Sequence, residues 1–184
     1  MPMDELIDIL TADGAPTGTT AMKSEAHQKG LFHPTVHIWF YTRNGEILLQ
    51  KRASNKDTHP GLWDVSVAGH IGAGEDILDS ALREIEEEIG LSVSEGDLQK
   101  IGIFKSVQKH SEILIDCEFH HTFLSELKVP LKYLTKQETE VDDLKLLPIH
   151  QFEAELKHPE KSKVYVPHRQ EYYATILAEI DKLP

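Results

Sequence analysis

Cysteine is nearly absent from this chain: among 184 residues it occurs once, at Cys117, which excludes an intramolecular disulfide and suits a reducing compartment. Long apolar runs are missing as well. A spanning helix needs roughly 20 consecutive apolar residues, and no stretch approaches that length. The opening MPMDELIDIL is acidic and has neither the basic segment nor the apolar stretch of a secretory signal. The expectation is a cytoplasmic protein without a membrane association. Positive charge is scarce: 19 Lys and Arg stand against 31 Asp and Glu, a net charge of −12 with His neutral. No Lys/Arg run offers a footprint for a nucleic-acid polymer, and the bulk field repels polyanions. A small phosphorylated metabolite would depend on bound metal and a few local cations. Repeats, low-complexity tracts and a clear linker are also lacking, and the length suits one sizeable core better than two.

What is present reads as alternating short elements. Residues 4–10 suit a strand, followed by a turn at Asp13-Gly14, an extended piece over 17–22 and a short helix or loop ending at Gly30. VHIWFYT (36–42) and EILLQK (46–51) flank Arg43-Asn44-Gly45, and Asn-Gly between two such runs is a strong hairpin signal. Residues 63–71 read as one strand feeding a helix over about 76–90. Two long strands are expected over 98–107 and 113–124, a short one over 144–147, and helices over 149–157 and 168–182. A mixed sheet flanked by helices is a layered α/β arrangement.

The most informative stretch is 69–91, GHIGAGEDILDSALREIEEEIGL. It sets a Gly-rich turn before an amphipathic helix in which Glu84, Glu87 and Glu88 stand at i, i+3 and i+4 and share one face. Leu78, Ala81, Leu82, Ile85 and Ile89 fall on the adjoining face, at the spacing of a helix packed on a core. Like charges at i, i+4 cost a helix roughly 0.2–0.5 kcal/mol per pair. A hard divalent cation removes that repulsion, and Mg²⁺ commonly bridges carboxylates to substrate phosphates. Gly72 and Gly74 would let the loop backbone approach a phosphate at the helix N-terminus. A charge run alone is more often a solvated helix face.

The spacing of the whole segment resembles the Nudix box, G-x5-E-x7-R-E-U-x-E-E-x-G-U with U a bulky aliphatic residue. Gly69, Glu75, Arg83, Glu84, Ile85, Glu87, Glu88, Gly90 and Leu91 fill its constrained positions. The resemblance implies an α/β/α sandwich with a mixed sheet and the box as strand–loop–helix. It divides one domain over 1–184 into an N-terminal extension (1–33), a core (34–150) and a C-terminal helical extension (151–184). It further implies Mg²⁺ or Mn²⁺ as cofactor. Glu87 and Glu88 would be core ligands, Glu84 a ligand or general base, and the Gly69 carbonyl a further ligand. Arg83 would orient the carboxylates, and Glu75 would anchor the loop or reach metal through water. Homodimers are common in this superfamily, though nothing in the sequence marks an interface.

Upstream, LLQKRASNKDTHPGLWDVSVAGH resembles the branch that holds isopentenyl diphosphate isomerase, in which an Arg and a Lys of this segment grip a diphosphate; the matching residues are Arg52 and Lys56. The same resemblance places a second metal on His27, His33 and His70 with Asp116 and Glu118. Two apart on a strand, the two acids share a face. A His/carboxylate set suits Mn²⁺, Zn²⁺ or Fe²⁺ better than Mg²⁺. His110, His120, His121, His150 and His168 gain no support from the resemblance and are expected at the surface. One departure matters: the isomerase carries its catalytic cysteine immediately before the box Gly-His, where this chain has Ala68, and a methyl group cannot shuttle a proton. The leading expectation is thus a hydrolase of a diphosphate linkage in an NDP-X type substrate. An isomerase with relocated acid–base groups and a non-catalytic binding module are the rivals. Trp39, Trp63, Phe104, Tyr165, Tyr172 and Tyr173 are candidates for substrate contacts, each better read as core, and Glu140 lies in a solvated acidic loop.

Overall fold

A computed structural model describes residues 4–183. Among them are nine strands and four α-helices. The N-terminal extension is a hairpin of β1 (Leu6–Leu10) and β2 (Pro16–Met22) leading into α1 (Lys23–Lys29), which Gly30 ends at φ 62°. The central sheet is mixed. β3 (His33–Tyr41) lies parallel to β8 (Leu114–Glu126) and antiparallel to β6 (Val67–His70), and β8 pairs antiparallel with β7 (Gln99–Ser111). β4 (Glu46–Arg52) carries β5 (Trp63–Asp64) and β9 (Val141–Pro148).

The Asn44-Gly45 turn does join β3 to β4, with Gly45 at φ 76°, but the two strands pair only at Tyr41↔Ile47 before diverging. Ser66 sits where they part: its hydroxyl donates to Leu48 O at 2.5 Å and accepts from Phe40 N at 2.8 Å. That wedge corrects the single strand expected over 63–71. Its first part pairs with β4 and its second with β3, so the chain must break between them.

Period-2 alternation sorts β3 into two faces. Val36, Ile38 and Phe40 pack, with Leu48, Val67 and Ile71, against Ala81, Ile85 and Ile89 of α2 (Ile77–Ile89). Fully burying each of those isoleucines contributes roughly 1.5–3 kcal/mol. The other face turns Trp39 toward α3 (Ile149–Lys157) and α4 (Gln170–Asp181), where Phe152, Tyr172, Tyr173 and Ile176 close a second core. Helix on sheet on helix is the sandwich expected. No helix among the described residues is long and apolar enough to cross a membrane.

Candidate functional site

Strand β6 separates two sites, because Gly69 and His70 face opposite sides of the sheet. On the α2 side there is no room for a side chain at residue 69: a Cβ would lie 2.0 Å from Glu84 Cδ, so only glycine lets the carboxylate seat against the strand. Asp76 caps α2, its Oδ1 accepting from Leu78 N at 2.8 Å, and Gly90 ends it at φ 64°. Arg83 is the hub of the site. It grips Glu75 in a fork, Nε and Nη2 each at 2.9 Å, and its Nη1 donates to Glu84 at 2.8 Å and Glu87 at 3.3 Å. Its Nη2 also reaches His70 O at 3.2 Å, tying the helix to β6.

The three glutamates are not equivalent. Glu84 and Glu88 turn inward and are buried, while the Glu87 side chain is 49% exposed at the rim. Glu88 accepts from Gln50 Nε2 at 2.6 Å and Ala68 N at 3.2 Å. Burial pushes Glu84 up to about 7 and Glu88 up to about 8, Arg83 opposing the first shift and Glu84 adding to the second. Two buried carboxylates beside an exposed third form an all-oxygen set that suits a hard divalent cation. Glu75, by contrast, is held down to about 2 by Arg83 and accepts from Gly72 N at 3.0 Å. It anchors the loop, as expected. The amides of Gly72 and Gly74 have side-chain acceptors in this structure: Glu75 takes the first and Asp8 of β1 takes the second at 2.8 Å.

Across β6, strand register builds the histidine site. Pairing sets His33 beside Glu118 and Thr35 between His70 and His120, and α1 brings His27 over them. The rings of His27, His33 and His70 form a near-equilateral triangle, with centroids 5.2, 5.3 and 5.3 Å apart. One ligand atom from each, with one from Glu118, lies within 4.8 Å of the others. His33 Nδ1 donates to Leu31 O at 2.8 Å, which leaves its Nε2 lone pair facing the centre. The Nε2 atoms of all three histidines and Asp116 Oδ1 are buried without a hydrogen-bond partner. Buried polar atoms are nearly always satisfied, so converging lone pairs of this kind fit a cation. Burial lowers the pKa of His27 and holds that of His70 well down, keeping both neutral. Burial opposes the charge of Glu118, yet His33 and its neighbours hold its carboxyl well below the usual range.

Two expected surface histidines are buried instead, and a third has its side chain largely covered. His120 and His121 are 4% and 9% exposed, and the His168 side chain is 8% exposed. His168 Nε2 donates to Asp64 Oδ1 at 2.7 Å, and His37 stacks on His120 at 3.9 Å. His37 Nδ1 shares a 2.7 Å hydrogen bond with the Tyr172 hydroxyl, to which Trp39 Nε1 donates at 2.9 Å. His120, His168 and Tyr172 form one wall of a cavity of about 200 Å³ whose rim carries Phe104, Ser106 and Arg169. His120 could have been found from sequence, since it continues the i, i+2 series of Asp116 and Glu118; His168 carried no such signal. His110 pairs with Asp116 at 2.9 Å, and His150 is exposed. Trp39, Tyr165, Tyr172 and Tyr173 are core, and Phe104 is half-buried. Arg52 points into its own loop, to Thr58 O at 3.0 Å and Asp64 at 3.4 Å, while Lys56 pairs with Glu140.

Comparison with known proteins supplies the frame for this geometry. The NUDIX domain family matches residues 31–168. Nudix hydrolase 3 of Arabidopsis thaliana is 35% identical over 169 residues, covering 90% of this chain but 22% of the plant protein. Isopentenyl-diphosphate Delta-isomerase of Serratia proteamaculans is 35% identical over 122 residues, 66% of each chain. The NUDIX domain of Shewanella oneidensis NrtR, solved in complex with ADP ribose, superimposes with a TM-score of 0.58 at 16% identity, covering 80% of this chain and 87% of that one.

Proposed function

The chain belongs to the Nudix family, and on that premise we propose that it is a Mg²⁺- or Mn²⁺-dependent pyrophosphohydrolase acting on an NDP-X type substrate. One observation carries the reading: Glu84 and Glu88 are buried against β6 beside a rim carboxylate, Glu87, and a single guanidinium holds Glu84 and Glu87 together. When bound, a divalent cation supplies charge neutralisation to the diphosphate and an activated water. Glu84, Glu87, Glu88 and the Gly69 carbonyl are the groups that would hold it. Arg83 fixes Glu84 and Glu87, and Gln50 and the Ala68 amide fix Glu88. Glu84, poised near neutrality by burial, is suited to hold a proton. Arg52 and Lys56 would exchange their present partners, Asp64 and Glu140, for phosphate oxygens.

His27, His33, His70, Glu118 and Asp116 would hold a second ion, and their nitrogen-rich set suits Mn²⁺, Zn²⁺ or Fe²⁺. The cavity beside them is lined by Ser106, His120, His168 and Arg169 as well as Phe104 and Tyr172. Such a lining offers polar partners to a sugar or nucleoside and suits a hydrocarbon chain poorly. The isomerase alternative is not favoured: Ala68 stands at the cysteine position, and Cys117 is buried with its pKa raised by burial and the two flanking acids.

The test is release of phosphate or nucleotide from nucleoside di- and triphosphates, ADP-ribose, nucleotide sugars, NADH, CoA and isopentenyl diphosphate, with Mg²⁺ or Mn²⁺. Glu87→Gln and Glu88→Gln are expected to abolish turnover while leaving the fold intact. Full activity in both variants sinks the proposal. Tight nucleotide binding without turnover under any divalent ion would make the chain a binding module.

A further inference from the structure

Between β4 and β5 the chain runs through a loop, residues 53–62, that carries Lys56 and starts at Arg52. One flank of the loop is tied to the start of β9 and the residue before it: Ala53 N donates to Glu140 O at 3.0 Å, Ser54 N to Asp142 Oδ2 at 3.1 Å, and Lys56 pairs with Glu140. The other flank meets the β7–β8 hairpin through His59. This is the only non-glycine residue with positive φ among the described residues, at 48°. Glycine would take that conformation freely, so a bulky side chain held there points to what the side chain touches. His59 Nε2 donates to Gln108 Oε1 at 2.7 Å, and its ring meets His110 edge-on, centroids 5.0 Å apart at 76°. His110 Nε2 in turn donates to Asp116 Oδ2 at 2.9 Å, and Asp116 Oδ1 lies 3.9 Å from His27 Nε2. A continuous chain of contacts therefore links the loop of Arg52 and Lys56 to the histidine cluster.

We propose that His59 is a positioning residue that registers the Arg52–Lys56 loop on the β7–β8 hairpin, so that the grip on a diphosphate and the occupancy of the histidine cluster by a metal ion are coupled. The inference rests on the reading of Arg52 and Lys56 as diphosphate cations and of the cluster as a metal site. Seating a metal on His27 and Asp116 fixes the carboxylate that orients His110, and through His110 and Gln108 it fixes His59. A loop held in place presents its two cations without a further ordering cost, which acts on substrate affinity rather than on the bond-breaking step.

The experiment uses the full chain. Amide exchange of residues 53–62 is followed with and without Mn²⁺ in wild type, His59→Gly, His59→Asn and Gln108→Leu, and Mn²⁺ binding is measured by calorimetry. Loss of one charge-free hydrogen bond changes such an opening equilibrium by about tenfold at most. His59→Gly and Gln108→Leu are expected to speed exchange in the loop by several-fold while α2 is unchanged, and to weaken Mn²⁺ binding. KM should rise with kcat nearly constant. His59→Asn, which tolerates positive φ and retains an amide donor, should restore part of the protection. Wild-type exchange in both loop variants overturns the proposal, as does faster exchange beside an unchanged Mn²⁺ affinity. Exchange and metal binding are read without turnover, so a failure of the hydrolase reading leaves a distinct result. In that case the coupling persists while the substrate panel stays silent.

Discussion

The two acidic sites on either side of β6 are built by opposite rules. On the α2 side every functional carboxylate already has a partner: Arg83 holds Glu75, Glu84 and Glu87, and Gln50 and the Ala68 amide hold Glu88. On the other side three imidazole nitrogens and a carboxylate oxygen are buried with no partner at all. The first arrangement is pre-neutralised and partly open, which under the proposed function would suit a hard cation that exchanges together with a substrate. The second has unsatisfied lone pairs, which favour an ion that stays. A Nudix box helix and a histidine triangle thus share one strand while offering different donor sets, oxygen on one side and mostly nitrogen on the other.

The comparison can be broken most forcefully at Arg83. Arg83→Lys keeps the charge but loses the fork on Glu75 and the reach to Glu84, and kcat should fall by about 10–100-fold with Mn²⁺ binding at the histidine cluster unaltered. Steady-state kinetics beside calorimetry decide it, and equal damage to both sites would deny their independence. Next, His27→Ala should weaken Mn²⁺ binding at the cluster by at least about tenfold while box function at saturating Mg²⁺ survives. Titrating each ion into the variant separates the two outcomes.

Acidity sharpens the contrast. Glu84 and Glu88, raised by burial to about 7 and about 8, retain protons in the fold at pH values where the unfolded chain has lost them. Their contribution to the stability of the metal-free protein is therefore lost as pH rises toward 8. A bound Mg²⁺ must displace those protons, two of them below pH 7, so its affinity should drop by more than about tenfold per pH unit on going from pH 8 to pH 6. At the cluster burial lowers His27 and His70, and only His33 is raised, by Glu118 against its burial, so Mn²⁺ displaces fewer protons there and a flatter profile is expected over the same range. A Mg²⁺ affinity independent of pH would contradict the burial of these carboxylates. The smallest effect is expected from Asp76→Ala, a lost helix cap worth about 1 kcal/mol in thermal or denaturant unfolding, with metal binding at both sites preserved.

Periodic features were legible from sequence. The box helix expected over 76–90 spans Ile77–Ile89, and the i, i+2 placement of Asp116 and Glu118 brought both acids to the histidines. The shared helical face of Glu84, Glu87 and Glu88 was visible too, but not that two turn inward and one outward, because that depends on the bare backbone of Gly69 facing Glu84. Nor could periodicity show that Asp8, 66 residues away, would claim the Gly74 amide. The break in the strand over 63–71 escaped for the same reason: the residues favour extension throughout, and only the choice between two partner strands divides them. Buried histidines look like exposed ones in a chain that has 11 of them.

The extent of the family match, residues 31–168, leaves out parts on which both sites lean. His27 sits on α1, Asp8 on β1, and Tyr172, bonded to His37 and Trp39, on α4. A piece cut at the recognisable limits would keep every glutamate of the box and lose one corner of the histidine triangle, the brace on its loop and the hydroxyl that pins the histidine row. For anyone trimming, fusing or transplanting this unit, the working boundary lies outside the recognisable one, and the flanks are components rather than packaging.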